Sequence, residues 1–85
     1  MKTFKYVIQD EQGIHARPAG ILVRAATEFE SDIHICKNGK QGDLKRIFGV
    51  MGLCAKKGDE ITVTISGKDE DAAAEKIEAL FKENL

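Results

Sequence analysis

Apolar and polar residues alternate in three stretches of this chain, and that period is typical of half-buried β-strands. The stretches are 3–8, 32–37 and 60–66. An Asn-Gly pair at 38–39 follows the second stretch and favours a two-residue hairpin, because both central positions of a type I′ turn need positive φ. A short further strand is therefore expected over 40–43.

Two other stretches repeat apolar residues at three- and four-residue spacing, which is typical of amphipathic helices. The first begins at Pro18, and the second follows Asp69, a good N-cap residue for a helix. The apolar stripe of the first consists of Ala19, Leu22, Ala25, Ala26 and Phe29, and that of the second consists of Ala73, Ile77, Leu80 and Phe81.

Residues 44–53 are apolar on too many sides for a simple surface helix. Gly49 and Gly52 weaken helix propensity, so a short, marginal helix is expected there. One apolar face can meet the core, and a second face is left over. The second face consists of Ile47, Phe48 and Met51. If exposed together, these side chains form a patch that calls for a partner, but the periodicity equally allows all three to be core.

The resulting element order is β-α-β-β-α-β-α in a single domain spanning 1–85. Three strands have one apolar and one largely polar face, so helices should cover one side of the sheet and water the other. The predicted fold class is α+β, an open-faced β-sandwich.

Charge and surface composition argue against nucleic-acid partners. Thirteen basic residues nearly balance fourteen acidic ones, giving a formal net charge of −1, whereas binding by counterion release needs a clustered positive footprint. RNA binding by the bare sheet face is also disfavoured, because its outward positions include no aromatic pair for stacking bases. Those positions are Lys5, Val7, His34, Cys36, Thr62 and Thr64.

No apolar run approaches transmembrane length and no signal-peptide core is present, so membrane insertion is not expected. Cys36 and Cys54 form no Cys-x-x-Cys motif, which favours two reduced thiols in a cytoplasmic protein. Neither cysteine matches a metal-ligand spacing with His15 or His34, so no metal is expected.

The candidate chemistry lies in 13–18, where a strand pattern ends and a helical pattern begins. His15 should lie at or beside the helix N-terminus, where unpaired N–H groups and the helix dipole favour an anion. A neutral imidazole is a nucleophile near pH 7, and Arg17 offers a donor fork suited to phosphate. Because Arg17 precedes Pro18, its place inside the helix stays open. From this short motif alone, a polar loop histidine with a surface arginine is the more common interpretation.

Two motifs together resemble those of a known family. Gly13-Ile14-His15-Ala16-Arg17-Pro18-Ala19 resembles the active-site signature of HPr, the phosphocarrier of the phosphoenolpyruvate-dependent sugar phosphotransferase system. Ile47-Phe48-Gly49-Val50-Met51 resembles the second signature of that family. The resemblance extends over the whole chain in length and element order. It implies a four-stranded antiparallel sheet with three helices on one face.

The resemblance also implies a site and its partners. His15 would take phosphate on its δ nitrogen from Enzyme I and pass it to the A domain of a sugar-specific Enzyme II. Arg17 would pair with the phosphate, the N–H groups of Ala16 and Arg17 would cradle it, and Pro18 would stiffen the helix start. The chain would be a cytoplasmic, monomeric carrier without a cofactor rather than a stand-alone enzyme. The docking residues would be Gln12, Gly20, Arg24, Ile47, Phe48 and Met51.

One position departs from the resemblance. Many Gram-positive members carry a regulatory serine where this chain has Arg46, which has no hydroxyl to phosphorylate. Regulation by a serine kinase is therefore not expected. Two alternatives stay open. The protein could be a carrier in a paralogous phosphotransferase system, either the nitrogen-related one or the one for dihydroxyacetone, or it could be a purely regulatory HPr-like binding module. Retention of His15 with Arg17 weighs against the regulatory module.

Overall fold

A computed structural model describes all 85 residues. Four strands and three helices follow one another in the predicted order, and the predicted open-faced α+β arrangement is confirmed. The elements are β1 (Lys2–Val7), α1 (Ala16–Ala26), β2 (Asp32–Lys37), β3 (Lys40–Asp43), α2 (Ile47–Met51), β4 (Glu60–Ser66) and α3 (Glu70–Asn84). No helix among them has the length and apolar character needed to cross a membrane.

The sheet is antiparallel throughout, with strand order β1-β4-β2-β3. β4, which shows the cleanest alternation, lies between β1 and β2. The hairpin between β2 and β3 turns at Asn38 and Gly39, whose φ angles of 49° and 82° are the positive values predicted for that pair. The side chains of Ile61, Val63 and Ile65 are fully buried beneath the helices.

One cluster of 19 buried apolar residues forms the core. Phe81 of α3 is fully buried, and its ring lies 5.8 Å from the ring centroids of both Phe4 and Tyr6 on β1. Distances of this size suit edge-on and tilted aromatic contacts. The third helix thereby covers the edge strand and brings the C-terminal end of the chain close to the β1–α1 connection.

The first helix starts earlier than predicted. It begins at Ala16 rather than Pro18, and the amide of Ala19 donates to the carbonyl oxygen of His15 at 3.0 Å to close its first turn. Arg17 is helical despite preceding a proline, because Pro18 and Ala19 are both buried and that packing outweighs the local bias. The missing N–H of Pro18 costs nothing in a first turn.

The N-cap position expected for α3 is confirmed, but the carboxylate of the capping residue is used elsewhere. Asp69 holds the N-cap position, but its carboxylate makes no hydrogen bond to the helix. It accepts instead from the amide of Glu30 at 2.9 Å and from both the amide and the hydroxyl of Ser31. The backbone of Asp69, at φ −105° and ψ 26°, is not in the extended conformation typical of a capping residue. Asp69 therefore ties the α1–β2 connection to the start of α3.

The second helix has only five residues and packs tightly against β3. A Cβ on Gly42 of β3 would collide with the carbonyl oxygen of Gly49, so β3 needs a glycine for this approach, while a Cβ on Gly49 would lie 3.2 Å from the carbonyl oxygen of Asp43. Val50 in the helix and Leu44 before it are fully buried, and Leu53 after the helix is also buried. The core-facing side predicted for residues 44–53 is confirmed, and its outer side turns away from the sheet.

Candidate functional site

His15 is the N-cap residue of α1 and has extended backbone, with φ −107° and ψ −175°. Its side chain makes no capping hydrogen bond and is 36% exposed. The imidazole is therefore neither buried in the core nor used to hold the helix. It lies at the coil-to-helix junction, where the ring is accessible to solvent or to a partner.

Gly13 and Ile14, the two residues before His15, anchor the site loop, which is the segment 8–15 between β1 and α1. Gly13 has φ +67°, and a Cβ there would collide with the carbonyl oxygen of Ala55. The amide of Ile14 donates to that same oxygen at 2.9 Å, and the Ile14 side chain is buried. Ile14 is therefore anchored in the core, while the side chain of His15, the next residue, stays partly exposed.

The segment around Ala55, against which Gly13 and Ile14 pack, is held in place by Lys37. Lys37 Nζ donates to the carbonyl oxygen of Cys54 at 2.9 Å and lies 3.1 Å from Oδ2 of Asp59. The pKa of Asp59 is lowered, first by the hydrogen bond from the amide of Lys56 and then by Lys37. These contacts fix the carbonyl oxygen of Ala55 against which the site loop rests.

The start of α1 offers an anion two unused donors. The amides of Ala16 and Arg17 donate no hydrogen bond, and Pro18 has no N–H. The first turn contains no acidic residue that would occupy the positive end of the helix dipole. Free N–H groups at the N-terminus of an 11-residue helix are a ready anion site. The exposed Arg17 adds a permanent cation beside them.

A surface depression of about 300 Å³ joins the imidazole to the arginine. Its lining also includes side chains from the turn before the helix and from the end of α3. The lining residues are Asp10, His15, Arg17, Pro18, Ile21, Glu83 and Asn84. Two backbone hydrogen bonds join the β1–α1 connection to the residue after α3. The amides of Gln9 and Asp10 donate to the carbonyl oxygen of Leu85 at 2.6 and 2.8 Å.

Sequence reasoning missed four residues that line this depression: Asp10, Ile21, Glu83 and Asn84. Asp10 carried a usable signal, because it is an ionisable residue in the turn directly before the candidate histidine. Glu83 and Asn84 carried none, since the tertiary packing of α3 against α1 and β1 places them here.

The residues predicted to dock partners are arranged around two separate features. Phe48 is 85% exposed and Met51 is 36% exposed, so the outer side of α2 presents an apolar patch, while Ile47 is half-buried against the core. We call Phe48 and Met51 the α2 patch. Gly20 lies on α1, which packs against α2, and a Cβ there would meet no neighbour. Arg24 lines a different groove of about 170 Å³ between α1 and α3.

The remaining candidates do not line the depression. Gln12 is exposed in the turn before the helix, where its amide donates to Oδ1 of Asp10 at 2.8 Å. Arg46 is the N-cap of α2, with a side chain 82% exposed and Nε 3.8 Å from Oδ2 of Asp43. His34 and Cys36 lie partly exposed on the open sheet face, and no three potential ligand side chains gather into a metal-binding group.

Comparison with known proteins decides the family. A family model described as the PTS HPr component phosphorylation site matches residues 2–83. The chain belongs to the HPr family. It is 46% identical over 83 residues to the phosphocarrier protein HPr of Lysinibacillus sphaericus, which covers 98% of this chain and 94% of the relative. It is also 46% identical over 77 residues to that of Mycoplasma capricolum, with 91% and 86% covered.

Solved structures of the family agree with this assignment. A mycoplasma histidine-containing phosphocarrier protein superposes with a TM-score of 0.94 at 41% identity, covering 96% of this chain and 93% of that one. HPr from Bacillus anthracis gives 0.86 at 35% identity, covering 93% and 94%. Crh from Bacillus subtilis, described as a domain-swapped dimer, gives 0.79 at 36% identity, covering 100% and 98%. The resemblance to HPr phosphocarriers of the phosphotransferase system is thereby confirmed, as is the fold.

Proposed function

We propose that this chain accepts a phosphoryl group on His15 from phospho-Enzyme I and delivers it to the A domain of a sugar-specific Enzyme II. The observation that carries the proposal is a half-exposed imidazole at a helix start, beside the free amides of Ala16 and Arg17. Phosphoryl transfer demands little covalent work from a protein beyond positioning and charge neutralisation. Both are available at this junction.

The transfer step balances with the groups present. The lone pair of Nδ1 of His15 attacks phosphorus, a new N–P bond forms, and the bond between phosphorus and the donor of Enzyme I breaks with its electron pair going to the donor. The amides at the helix start and the Arg17 guanidinium then stabilise the charge on the phosphoryl oxygens. Transfer to the Enzyme II A domain is the same step with the carrier as donor.

An open site suits a carrier better than a closed one. The phosphoryl group has to be released as readily as it is accepted, so strong stabilisation of phosphohistidine would stop the relay. His15 and Arg17 are both solvent-accessible, and solvent weakens each charge contact that they make. Acceleration therefore comes largely from what the bound partner adds.

The α2 patch is the proposed centre of partner docking, and Ile47, Gly20, Gln12 and Arg24 are the other proposed docking residues. Exposed apolar side chains of this size mark interaction sites on small proteins. A patch built on two principal side chains gives a small interface, which fits a partner that must leave after each transfer. Arg46 beside it has no hydroxyl, so we propose that no serine kinase gates this docking.

We further propose that the chain works as a cytoplasmic monomer. Both reacting side chains, both free amides and the α2 patch come from one chain, so a second copy has nothing to add to the site. Light scattering coupled to size-exclusion chromatography should give the mass of one chain. A dimer that exchanges an element, as described for Crh, would contradict this.

Labelling with phosphoenolpyruvate and a bacterial Enzyme I tests the proposal directly. The protein should gain one phosphate that is labile in acid and stable in alkali, as a phosphohistidine is. His15→Ala should abolish labelling, whereas His34→Ala, on the open sheet face, should leave it intact. No labelling of the parent protein, or labelling that survives His15→Ala, would overturn the proposal. Competition between the Enzyme I of the sugar system and its nitrogen-related paralogue for phosphorylating this protein would then identify the phosphotransferase system that it serves.

A further inference from the structure

A carboxylate faces one particular nitrogen of the His15 ring. Oδ1 of Asp10 lies 3.8 Å from Nε2, and the two side chains are 32% and 36% exposed. The same Oδ1 accepts the amide of Gln12 at 2.8 Å, which fixes the carboxylate in an Asx-type turn rather than leaving it free to rotate into solvent. The acidic group therefore has a set position relative to the ring.

This arrangement makes the two ring nitrogens unequal. A neutral imidazole carries its proton on one nitrogen and its lone pair on the other, and the hydrogen-bonding or charged neighbour of one nitrogen sets which is which. A carboxylate favours an N–H towards itself and disfavours a lone pair or a phosphoryl anion there. The opposite nitrogen, Nδ1, then holds the lone pair, away from the carboxylate.

We propose that Asp10 is a positioning residue for His15, which keeps the imidazole proton on Nε2 and so directs the phosphoryl group to Nδ1. This inference rests on the proposed phosphorylation of His15 and adds the group that selects the nitrogen. When Nδ1 bonds to phosphorus, the ring has both nitrogens substituted and becomes cationic. The Asp10 carboxylate beside Nε2 offsets that charge until the proton leaves or the phosphoryl group moves on.

The charge of Asp10 can be tested separately from its hydrogen bond in the turn. Asp10→Asn keeps a side-chain oxygen for the Gln12 amide but removes the charge, whereas Asp10→Ala removes both. Glu11, the neighbouring carboxylate, pairs with Lys57 Nζ at 2.6 Å and is 83% exposed, so Glu11→Gln is a matched loss of charge from the same turn. His34 supplies an internal reference ring on the sheet.

The tautomer of His15 is measured by long-range ¹H–¹⁵N spectra of histidine-labelled, unphosphorylated protein, at a pH that leaves imidazoles neutral. The parent protein and Glu11→Gln should show the Nε2–H form in excess. In Asp10→Asn and Asp10→Ala the ratio of Nε2–H to Nδ1–H should fall by about threefold, the size of a half-exposed charged contact. His34 should not change. A ratio that is unchanged in Asp10→Asn, or that falls only in Asp10→Ala, would assign Asp10 to the turn alone and overturn the inference.

Phosphorylation by phosphoramidate reads the outcome without Enzyme I. An imidazole nitrogen bonds to phosphorus, the P–N bond of phosphoramidate breaks, and ammonia leaves. The parent protein and Glu11→Gln should give the Nδ1 adduct at His15, and the Asp10 variants should give a rising share of the Nε2 adduct. Equal product ratios in all four proteins would refute directed phosphorylation. Failure of the Enzyme I assay would instead refute the proposed function, so the two failures are distinguishable.

Discussion

Asp69 accepts hydrogen bonds from both the amide and the hydroxyl of Ser31, although 38 positions separate them in the chain. Ser31 is 1% exposed, so its hydroxyl needs this partner. The contact joins the segment after α1 to the start of α3, and it lowers the pKa of Asp69, mainly through the Ser31 hydroxyl and then through the amide of Glu30.

The lowered pKa predicts a pH-dependent contribution to stability. A carboxyl with a lower pKa in the folded than in the unfolded chain stabilises the fold above the unfolded value, about 3.9 for aspartate, and loses that effect as pH falls through the folded value. Asp69→Asn should therefore lower the melting temperature at pH 7, with the difference from the parent protein shrinking below about pH 4. Thermal unfolding followed by circular dichroism measures both.

Asp71→Asn is the control for that series. Asp71 lies on the same helix, is 82% exposed and pairs only with the exposed Lys2, so its loss should move the melting temperature little at any pH. Equal pH profiles for the two variants would show that the Ser31 contact contributes nothing.

Two glycines with positive φ give a matched test of the close approach behind His15. Gly13 and Gly39 have φ of 67° and 82°, but a Cβ collides with Ala55 only at Gly13. Gly39→Ala should cost about 1–2 kcal/mol of unfolding free energy from the left-handed backbone alone. Gly13→Ala should cost clearly more, and should also slow the labelling of His15, because the site loop has to move. Urea titrations and labelling rates give the comparison. Equal costs would mean that the Ala55 contact is loose.

The guanidinium of Arg17 should matter for phosphoryl transfer and not for folding. Arg17 is exposed, so Arg17→Ala should leave the melting temperature unchanged. The loss of a charged hydrogen bond to phosphate, about 1.5–3 kcal/mol, should slow labelling by Enzyme I roughly 10- to 100-fold. Arg17→Lys should be intermediate, because it keeps the charge and loses the planar fork. Lys5→Ala, on the open sheet face, should label at the parental rate. A parental rate for Arg17→Ala would remove Arg17 from the site.

The α2 patch should act through binding. Phe48 is 85% exposed, so Phe48→Ala should not unfold the protein. An anchor of an interface contributes about 1–2 kcal/mol or more, so KM for Enzyme I should rise by roughly 5- to 30-fold with kcat little changed. Val7→Ala, 44% exposed on the sheet face, is the matched apolar control and should keep the parental KM. A change in kcat alone would place Phe48 in the chemistry instead.

Local patterns predicted much of this fold, and the reasons are physical. The strand at 60–66 and the Asn-Gly turn at 38–39 are set by the alternation of burial and by backbone conformation, both of which are properties of a few adjacent residues. The same local signals place His15 at a helix start. They do not give the first residue of α1, because burial of Pro18 outweighs the preference of the residue before a proline for non-helical backbone.

Contacts between distant segments were beyond that reasoning. Nothing near Asp69 in the sequence indicates that Ser31 donates hydrogen bonds to its carboxylate. Nothing near His15 indicates that Glu83 lines the same depression. Periodicity also left the outer side of α2 undecided between core and surface. Its exposure follows from the approach of Gly49 to β3, which is a tertiary contact.

That approach has a consequence for how binding preferences can change in this family member. Because the backbones of Gly42 and Gly49 lie in close contact, α2 cannot move closer to the edge strand β3, and a side chain at position 42 would push it away. If partners dock on the α2 patch as proposed, we expect new affinities to arise by exchange of the side chains at Phe48 and Met51, while the backbone of α2 keeps its position on β3.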